Sequence, residues 1–264
     1  MFYLWPFATL LARGIDGTAL SETMQRSDTW RVLWFTTWQA VASTAITLAI
    51  GIAPAWAVTR FEFPGRRVLT STLTAVFVLP TVVVGAAFVA LLPDGLDRSV
   101  WAILGAHVAF NLAVVVRTVG AAWERIPRDL EHAGATLGGG RFTTFRTVTL
   151  PLLRSAIAAA AAIVFLFTFT SFGVIRVLGT ANRTTVEVEV WRRATQLGDI
   201  GGAAVLSIIQ LLTLAIVVAG TARQQRRHTH RFVTSRDDRR RRPVGRERAT
   251  VAAAVGVTTV IVAA

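Results

Sequence analysis

Five apolar runs without a single charged residue punctuate the chain, at 33–59, 68–92, 99–116, 155–175 and 200–222, with charged loops between them. A helix rising 1.5 Å per residue needs about 20 residues to cross a hydrocarbon layer about 30 Å thick, so each run is a span or nearly one. Two further runs are incomplete. Residues 1–12 are apolar but shorter than that, and they lack the basic start and small-residue cleavage site of a secretory leader. They read as the end of a span or as an interfacial segment. Residues 249–264 enter the apolar layer and stop where the chain stops, which reads as the start of a further span. Pro54 and Pro80 lie inside runs. Neighbouring helices can re-satisfy the carbonyls that proline frees, so both predict kinks rather than breaks.

Loop charge orients these spans. Residues 60–67 are net basic and 94–98 net acidic; 117–154 are basic, 182–199 mixed, and 223–248 the most basic stretch of all. Basic loops stay on the cytoplasmic side, so the loops alternate inside and outside without exception. Residues 13–32 then lie outside.

Composition agrees. The chain of 264 residues is 53% hydrophobic with mean hydropathy +0.54, too apolar for a soluble domain. A net charge of +13 would suggest nucleic acid in a soluble protein. Here the arginines sit in loops between apolar runs, and topology explains them, so nucleic acid is not expected as a partner. The 223–248 run reads as a solvated loop facing lipid headgroups. There is no cysteine, which excludes disulfides and thiolate chemistry, and the four histidines are scattered, so no metal site or other cofactor is expected. A phosphate-cradling glycine loop is absent, as is any nucleophile–base constellation, so no catalytic site is expected.

The segment between the third and fourth runs is the informative one. Pro127 suits a helix start, and Asp129 and Glu131 fall in a first turn, where carboxylates meet the positive end of the helix dipole. Ala133, Ala135 and Leu137 continue a helix of little bulk. Gly138, Gly139 and Gly140 break it. A second amphipathic helix is expected next, with Phe142, Phe145 and Val148 on one side, closed by Leu150 and Pro151 before the next span. Small residues ahead of a glycine turn let another backbone approach closely.

This arrangement resembles the Glu-Ala-Ala signature of permeases in binding-protein-dependent ABC importers. Gly138, Val148, Leu150 and Pro151 fall at the matching positions, and His132, Ala133 and Gly134 stand where that family has Glu-Ala-Ala, with Glu131 adjacent. Further stretches are similar to the thiamine permease branch and in part to the related iron(III) permeases: 31–40, 60–66, 105–112, 124–127, 169–174, 178–179 and 184–188. The resemblance implies an all-α polytopic bundle of about six spans, the type-1 importer fold. It also implies that 128–151 docks on a cytoplasmic ATPase dimer, that an extracytoplasmic binding protein delivers substrate, and that a second permease half, fused or separate, completes the path. Members are typically two fused halves of six spans. On that basis the chain divides into a partial first span and outer loop (1–32), the permease domain (33–222) with its coupling loop (121–154), a basic cytoplasmic linker (223–248) and the start of the second half (249–264). It would reside in a bacterial or archaeal cell membrane.

Polar residues inside the runs are candidates for the path. His107 and Asn111 are four apart on one helix and share a face. They either line the path or bond to a neighbouring helix, as Gln39 can also do. Arg176, at an outer span end, either snorkels to the interface or faces substrate. Thr170 and Ser171 line the same path or bond back to their own helix. Glu187 and Glu189, alternating with valines, form either a segment that contacts the binding protein or an ordinary solvated loop. Two other readings compete. An ion-driven secondary transporter needs acidic residues or paired histidines in its spans, and these runs hold no Asp or Glu. A membrane scaffold would bind a partner through the loop and move no solute.

Overall fold

In the computed structural model the described residues are 5, 9, 17–136, 138, 140–227 and 240–263. They form helices throughout: α1 (Gly17–Gln25), α2 (Ser27–Arg60), α3 (Arg66–Val78), α4 (Thr81–Leu91), α5 (Val100–Trp123), α6 (Arg128–Thr136), α7 (Arg141–Thr144), a π turn (Phe145–Thr149), α8 (Leu150–Phe169), α9 (Gly173–Leu178), α10 (Val186–Thr195), α11 (Ile200–Arg227) and α12 (Arg246–Ala263). Four helices are long and apolar enough to cross a membrane: Ser27–Arg60, Val100–Trp123, Phe142–Phe169 and Ile200–Arg223. The pair α3 and α4 makes a fifth if a bend of 108° is counted within one span. The expected six therefore come to four or five among the described residues. Of the run 1–12, all but Trp5 and Thr9 lies outside those residues, as do 228–239 of the basic linker.

The two prolines behave differently. Helix α2 continues unbroken past Pro54. At Pro80 the expected kink is instead a break: Pro80 takes φ −57° and ψ 133°, an extended conformation, and caps α4 through its carbonyl, which accepts from Val83 N–H at 2.8 Å. A proline pushes the preceding residue away from helical geometry, and once Pro80 is itself extended no helix can continue. The expected single span 155–175 is likewise interrupted. Helix α8 ends at Phe169, and α9 starts at Gly173 on a new course.

The residues fall into two compact units. The first comprises the segments up to Ser43, Leu79–His107 and Phe165–Ala219; the second comprises Thr44–Val78, Val108–Val164 and the chain from Gly220 onwards. Loops 94–98 and 182–199, outside by charge, belong to the first unit. Loops 60–67 and 117–154, inside by charge, belong to the second. Spatial grouping and charge thus sort the loops alike.

In the second unit, Ala55, Val115, Val119, Trp123, Ile126, Leu153, Ala160 and Val164 form one core. Small residues let α2 and α5 approach closely there: a Cβ on Gly51 would lie 2.7 Å from Val115 Cγ1, and one on Gly120 3.1 Å from Thr59 Oγ1. Helix α12, whose first turn carries Arg246, Glu247 and Arg248, seats Val251 and Ala254 against Ala57 and Phe61.

In the first unit the short helices α4 and α9 pack together. A Cβ on Gly85 would touch Val177 at 3.0 Å. A Cβ on Gly173 would collide with the Thr81 hydroxyl and lie 2.6 Å from Val82 N. The colliding atoms include backbone, which cannot swing aside. Gly173→Ala is therefore expected to destabilise the folded protein by about 2 kcal/mol, the range of overpacking. Gly220→Ala, on α11 with nothing within 4 Å, is expected to be neutral or mildly stabilising. Thermal unfolding of both variants in detergent checks the contrast.

Candidate functional site

The polar segment after α5 folds as its residues suggest at its start. Pro127 directly precedes α6, and Leu130 N–H bonds the Pro127 carbonyl at 3.3 Å. Helix α6 ends at Thr136, and Gly138 takes φ +82°, the left-handed conformation that ends a helix at no steric cost only in glycine. Ala133 is exposed, as a docking face requires. Gly134 is different. A Cβ there would meet Thr144 Cγ2 at 2.9 Å, so the missing side chain admits α7 of the same chain. The side chains of Glu131 and His132 lie outside what the structure describes, as do Leu137 and Gly139.

The second half of the segment departs from expectation. Phe142 is 74% exposed, whereas Phe145 turns inward and stacks on Trp123 with ring centroids 6.0 Å apart. The π turn 145–149, which holds Val148, carries more residues per turn than an α-helix and breaks the expected stripe. Leu150 and Pro151 do not close the segment. They form the first turn of α8, and helix runs from Phe142 to Phe169. Leu150 N–H bonds the Phe145 carbonyl, one residue further back than in an α-helix. Pro151 has no N–H to place, so it fits where the ladder has already changed step.

Arginines cap the helix ends at the base of this segment. Arg60, the last residue of α2, is 5% exposed, and its Nη2 donates to the Ile126 carbonyl at 3.0 Å. Arg128, the first residue of α6, donates from Nη2 to the Arg60 carbonyl at 3.2 Å. Arg66 Nε donates to the Val58 carbonyl at 2.8 Å. Charged donors at C-terminal carbonyls satisfy groups that a helix leaves open and favour the negative end of its dipole.

The first unit holds a buried polar chain. His107 Nε2 shares a hydrogen bond with the Ser171 hydroxyl at 2.8 Å, and Nδ1 faces the Ser43 hydroxyl at 3.4 Å. The Ser171 carbonyl accepts from Thr185 Oγ1 at 3.0 Å, and Thr36 Oγ1 accepts from Val186 N–H at 2.9 Å. Gln39 Nε2 donates to the Thr168 carbonyl at 2.8 Å. His107 and Ser171 are thus brought together, and both bond between elements. Asn111, one turn along α5, is buried as well. Thr170 bonds back to the Leu166 carbonyl of its own helix.

Arg176 joins a different group. Its guanidinium lies 4.9 Å from the ring centroid of Trp191, which meets Phe172 edge-on at 5.9 Å. Trp191 belongs to α10, the helix into which the alternating valines and glutamates fold. Glu189 is no solvated loop residue. It is 2% exposed and accepts from Arg193 Nε at 2.9 Å and from Arg192 Nε and Nη2 at 2.8 and 2.7 Å. Arg193 also reaches Thr29 Oγ1 at 3.2 Å and stands 3.8 Å from Asp199. Glu187 pairs with Gln210.

Residues 45–229 match the family described as binding-protein-dependent transport system inner membrane component. The chain belongs to that family. This inner membrane component is therefore a multi-pass transport subunit and not an enzyme. It is 31% identical over 224 residues to the thiamine transport system permease protein of Brucella abortus, covering 78% of this chain and 40% of that one. It is 29% identical over 226 residues to the sulfate transport system permease protein of Salmonella typhimurium, covering 75% of this chain and 82% of the relative. The inner membrane component thus spans about 40% of the length of the thiamine permeases it matches. Its fold is similar to a bacterial ABC transporter that imports the acidic polysaccharide alginate, with TM-score 0.70 and 17% identity over 87% of this chain and 91% of that one.

Several residues that organise this inner membrane component carried no obvious signal. Arg60, Thr36 and Thr185 lie in stretches similar to the thiamine permease branch and Arg128 opens the docking segment, but none of them, nor Ser43, stood out as a hydrogen-bonding residue. The spacing of Glu189 and Arg193, four apart, was a legible helical ion pair. Its burial has a measurable consequence. Burial alone would push the Glu189 carboxyl up; the hydrogen bonds and charges of Arg192 and Arg193 outweigh it and hold the carboxyl below the ordinary glutamate value. The stability this gives is present above that ordinary value and is lost as pH falls through the lower value of the folded state. Thermal unfolding in detergent, from neutral pH down to about pH 3, should show that acid-side loss in the parent and a flatter profile in Glu189→Gln. At neutral pH the variant should be about 3 kcal/mol less stable, because Arg193 stays buried without its carboxylate.

Proposed function

We propose that this chain forms part of the membrane pathway of an ATP-driven importer and that its solute is thiamine. The observation that carries the substrate is the 30–32% identity, over 71–78% of the chain, to thiamine permeases from Brucella, Salmonella and Escherichia coli. The geometry that supports the importer reading is the segment 128–151. It offers an exposed helix of small residues, a glycine turn with positive φ, and unbroken helix into a membrane span. In this reading Ala133 and the flanking Glu131 and His132 meet a cytoplasmic ATPase dimer, Gly134 seats α7 beneath them, Gly138 sets the turn, and Val148, Leu150 and Pro151 carry motion into α8. A binding protein outside delivers the solute, and a second permease half, fused or separate, faces this one. The boundaries at 32, 222 and 248 follow from that plan.

His107, Asn111, Ser171 and Arg176 stand beside the path in this reading. His107 and Ser171 hold the break after α8 in place. Arg176 lies on Trp191 at the outer end, where its guanidinium already occupies the ring.

The sulfate relative supports a second reading, because the chain covers 82% of it. An iron(III) permease keeps the same architecture with a third solute. Uptake of labelled thiamine separates these readings. The full-length protein in vesicles with its ATPase and binding protein should accumulate thiamine only when ATP and all components are present. Accumulation of sulfate or ferric ion instead would keep the importer and move the substrate.

Gly138→Leu should insert normally, since among the described residues no atom lies within 4 Å of a Cβ there. It must, however, hold a branched side chain at φ +82°, a cost of about 1–2 kcal/mol. The variant should hydrolyse ATP in the complex while uptake falls. Unimpaired uptake would remove the turn from the coupling role.

A further inference from the structure

We infer that Arg60 and Arg128 form a reciprocal clasp that delivers the motion of α6 to the span α2. The inference rests on the reading of 128–151 as the ATPase-docking segment and goes beyond it, because no residue of that segment's signature touches α2 through these bonds.

Helix α6 has two mechanical connections to spans by chain continuity. On its C-terminal side the chain turns at Gly138 and runs through α7 and the π turn into α8 without a helix end. On its N-terminal side a turn at 124–127 joins it to α5. That turn is held by Glu124 N–H on the Gly120 carbonyl at 2.9 Å and by Ile126 N–H on the Trp123 carbonyl at 3.1 Å. Ile126 is 1% exposed and packs with Trp123 and Leu153. Push on α6 therefore reaches α5 and α8 through short turns of the same chain.

Helix α2 has no such link, since its chain leaves toward α3. Apolar packing of Ala55 with Trp123, Ile126 and Leu153 brings it alongside, and the pair of arginines bonds its end to the start of α6. The Arg60 side chain holds the carbonyl two residues ahead of α6, and the first side chain of α6 holds the Arg60 carbonyl. The two bonds run in opposite directions between the same two helix ends. Displacing either end strains both. The clasp is shielded as well: Arg60 is 5% exposed and Arg128 partly buried, so water does not readily take their place. Thr59 Oγ1, adjacent, donates to the Gly120 carbonyl at 3.4 Å and braces the same contact. Guanidinium suits this task because its planar donors reach a carbonyl at the end of a long stem and stay charged.

Both are positioning residues, and the test separates positioning from simple stability. The chain has no cysteine, so single introduced cysteines report specific places. Ala133→Cys, on the exposed face of α6, reports docking by cross-linking to the ATPase subunit. A fluorophore on Ser27→Cys reports the outer end of α2, and one on Phe167→Cys reports α8. The complete protein is reconstituted with its ATPase, and the label response to ATP is read with and without Arg128→Gln or Arg60→Gln.

The expected result is that the cross-link and the Phe167 response survive in both variants while the Ser27 response drops about five-fold, the scale of losing one coupling contact. Arg128→Lys, which keeps one donor at similar reach, should recover part of it. A Ser27 response that persists in both glutamine variants, with the cross-link intact, overturns the clasp and leaves the docking segment standing. Parallel loss at Ser27 and Phe167 shows a general structural role and also overturns it. A parent protein whose Ala133→Cys never cross-links to the ATPase removes the docking reading, and the clasp with it.

Discussion

A bilayer offers no water to a backbone, and that constraint governs this fold. Each N–H and carbonyl in the apolar layer must find its partner within the protein, which is why the described residues are helical nearly throughout. The two places where helix stops inside an apolar run, 79–80 and 170–172, are where the constraint bites. Both are covered by their surroundings. The Pro80 carbonyl takes the N–H groups of Val83 and Val84 in the first turn of α4, Ser171 is held by His107 and Thr185, and the start of α9 lies directly on the start of α4 across Gly173. Polar side chains that looked like path-lining candidates are in large part the means by which the interruptions are tolerated. Both uses can coincide, since broken helices are also where transporters gather their solutes.

Much of this was legible in the sequence. Charge-free runs located the long helices, and arginine placement sorted the loops in the same way as the spatial grouping does. Gly138 announced a positive φ and has one. What the sequence hid depends on context that periodicity does not contain. Pro54 and Pro80 look equivalent inside apolar runs, yet one is absorbed and the other breaks the helix, because only at Pro80 does the backbone turn extended to let α4 meet α9. Phe142, Phe145 and Val148 made a convincing stripe at three-residue spacing until the π turn altered the step. Glu189 looked like a loop residue because its alternation with valine suggests extended chain; the arginines that bury it sit three and four residues later, a helical spacing.

Arginines organise both units. In the second, Arg60, Arg66 and Arg128 reach for main-chain carbonyls, while Arg240 and Arg241 pair with Glu124 and Glu247. In the first, Arg193 needs Glu189, and burial makes that need severe. A bond between a cation and a carbonyl survives changes of pH, whereas a bond between a cation and a carboxylate does not. The Glu189–Arg193 pair therefore weakens as its carboxylate takes up a proton.

The contact at Gly173 also limits how this protein can change over generations. A substitution that adds a methyl group there meets Thr81, and a smaller residue at 81 would relieve that collision. It would leave the clash with the main chain of Val82, which no side-chain replacement can remove. Rescue needs a shift of the whole of α4, and α4 is also packed at Gly85, against Val177, and at Phe88, which sits against Gly105. The three glycines are thus locked to one another's presence. A lineage that lost Gly173 would have to rebuild the packing of both short helices together.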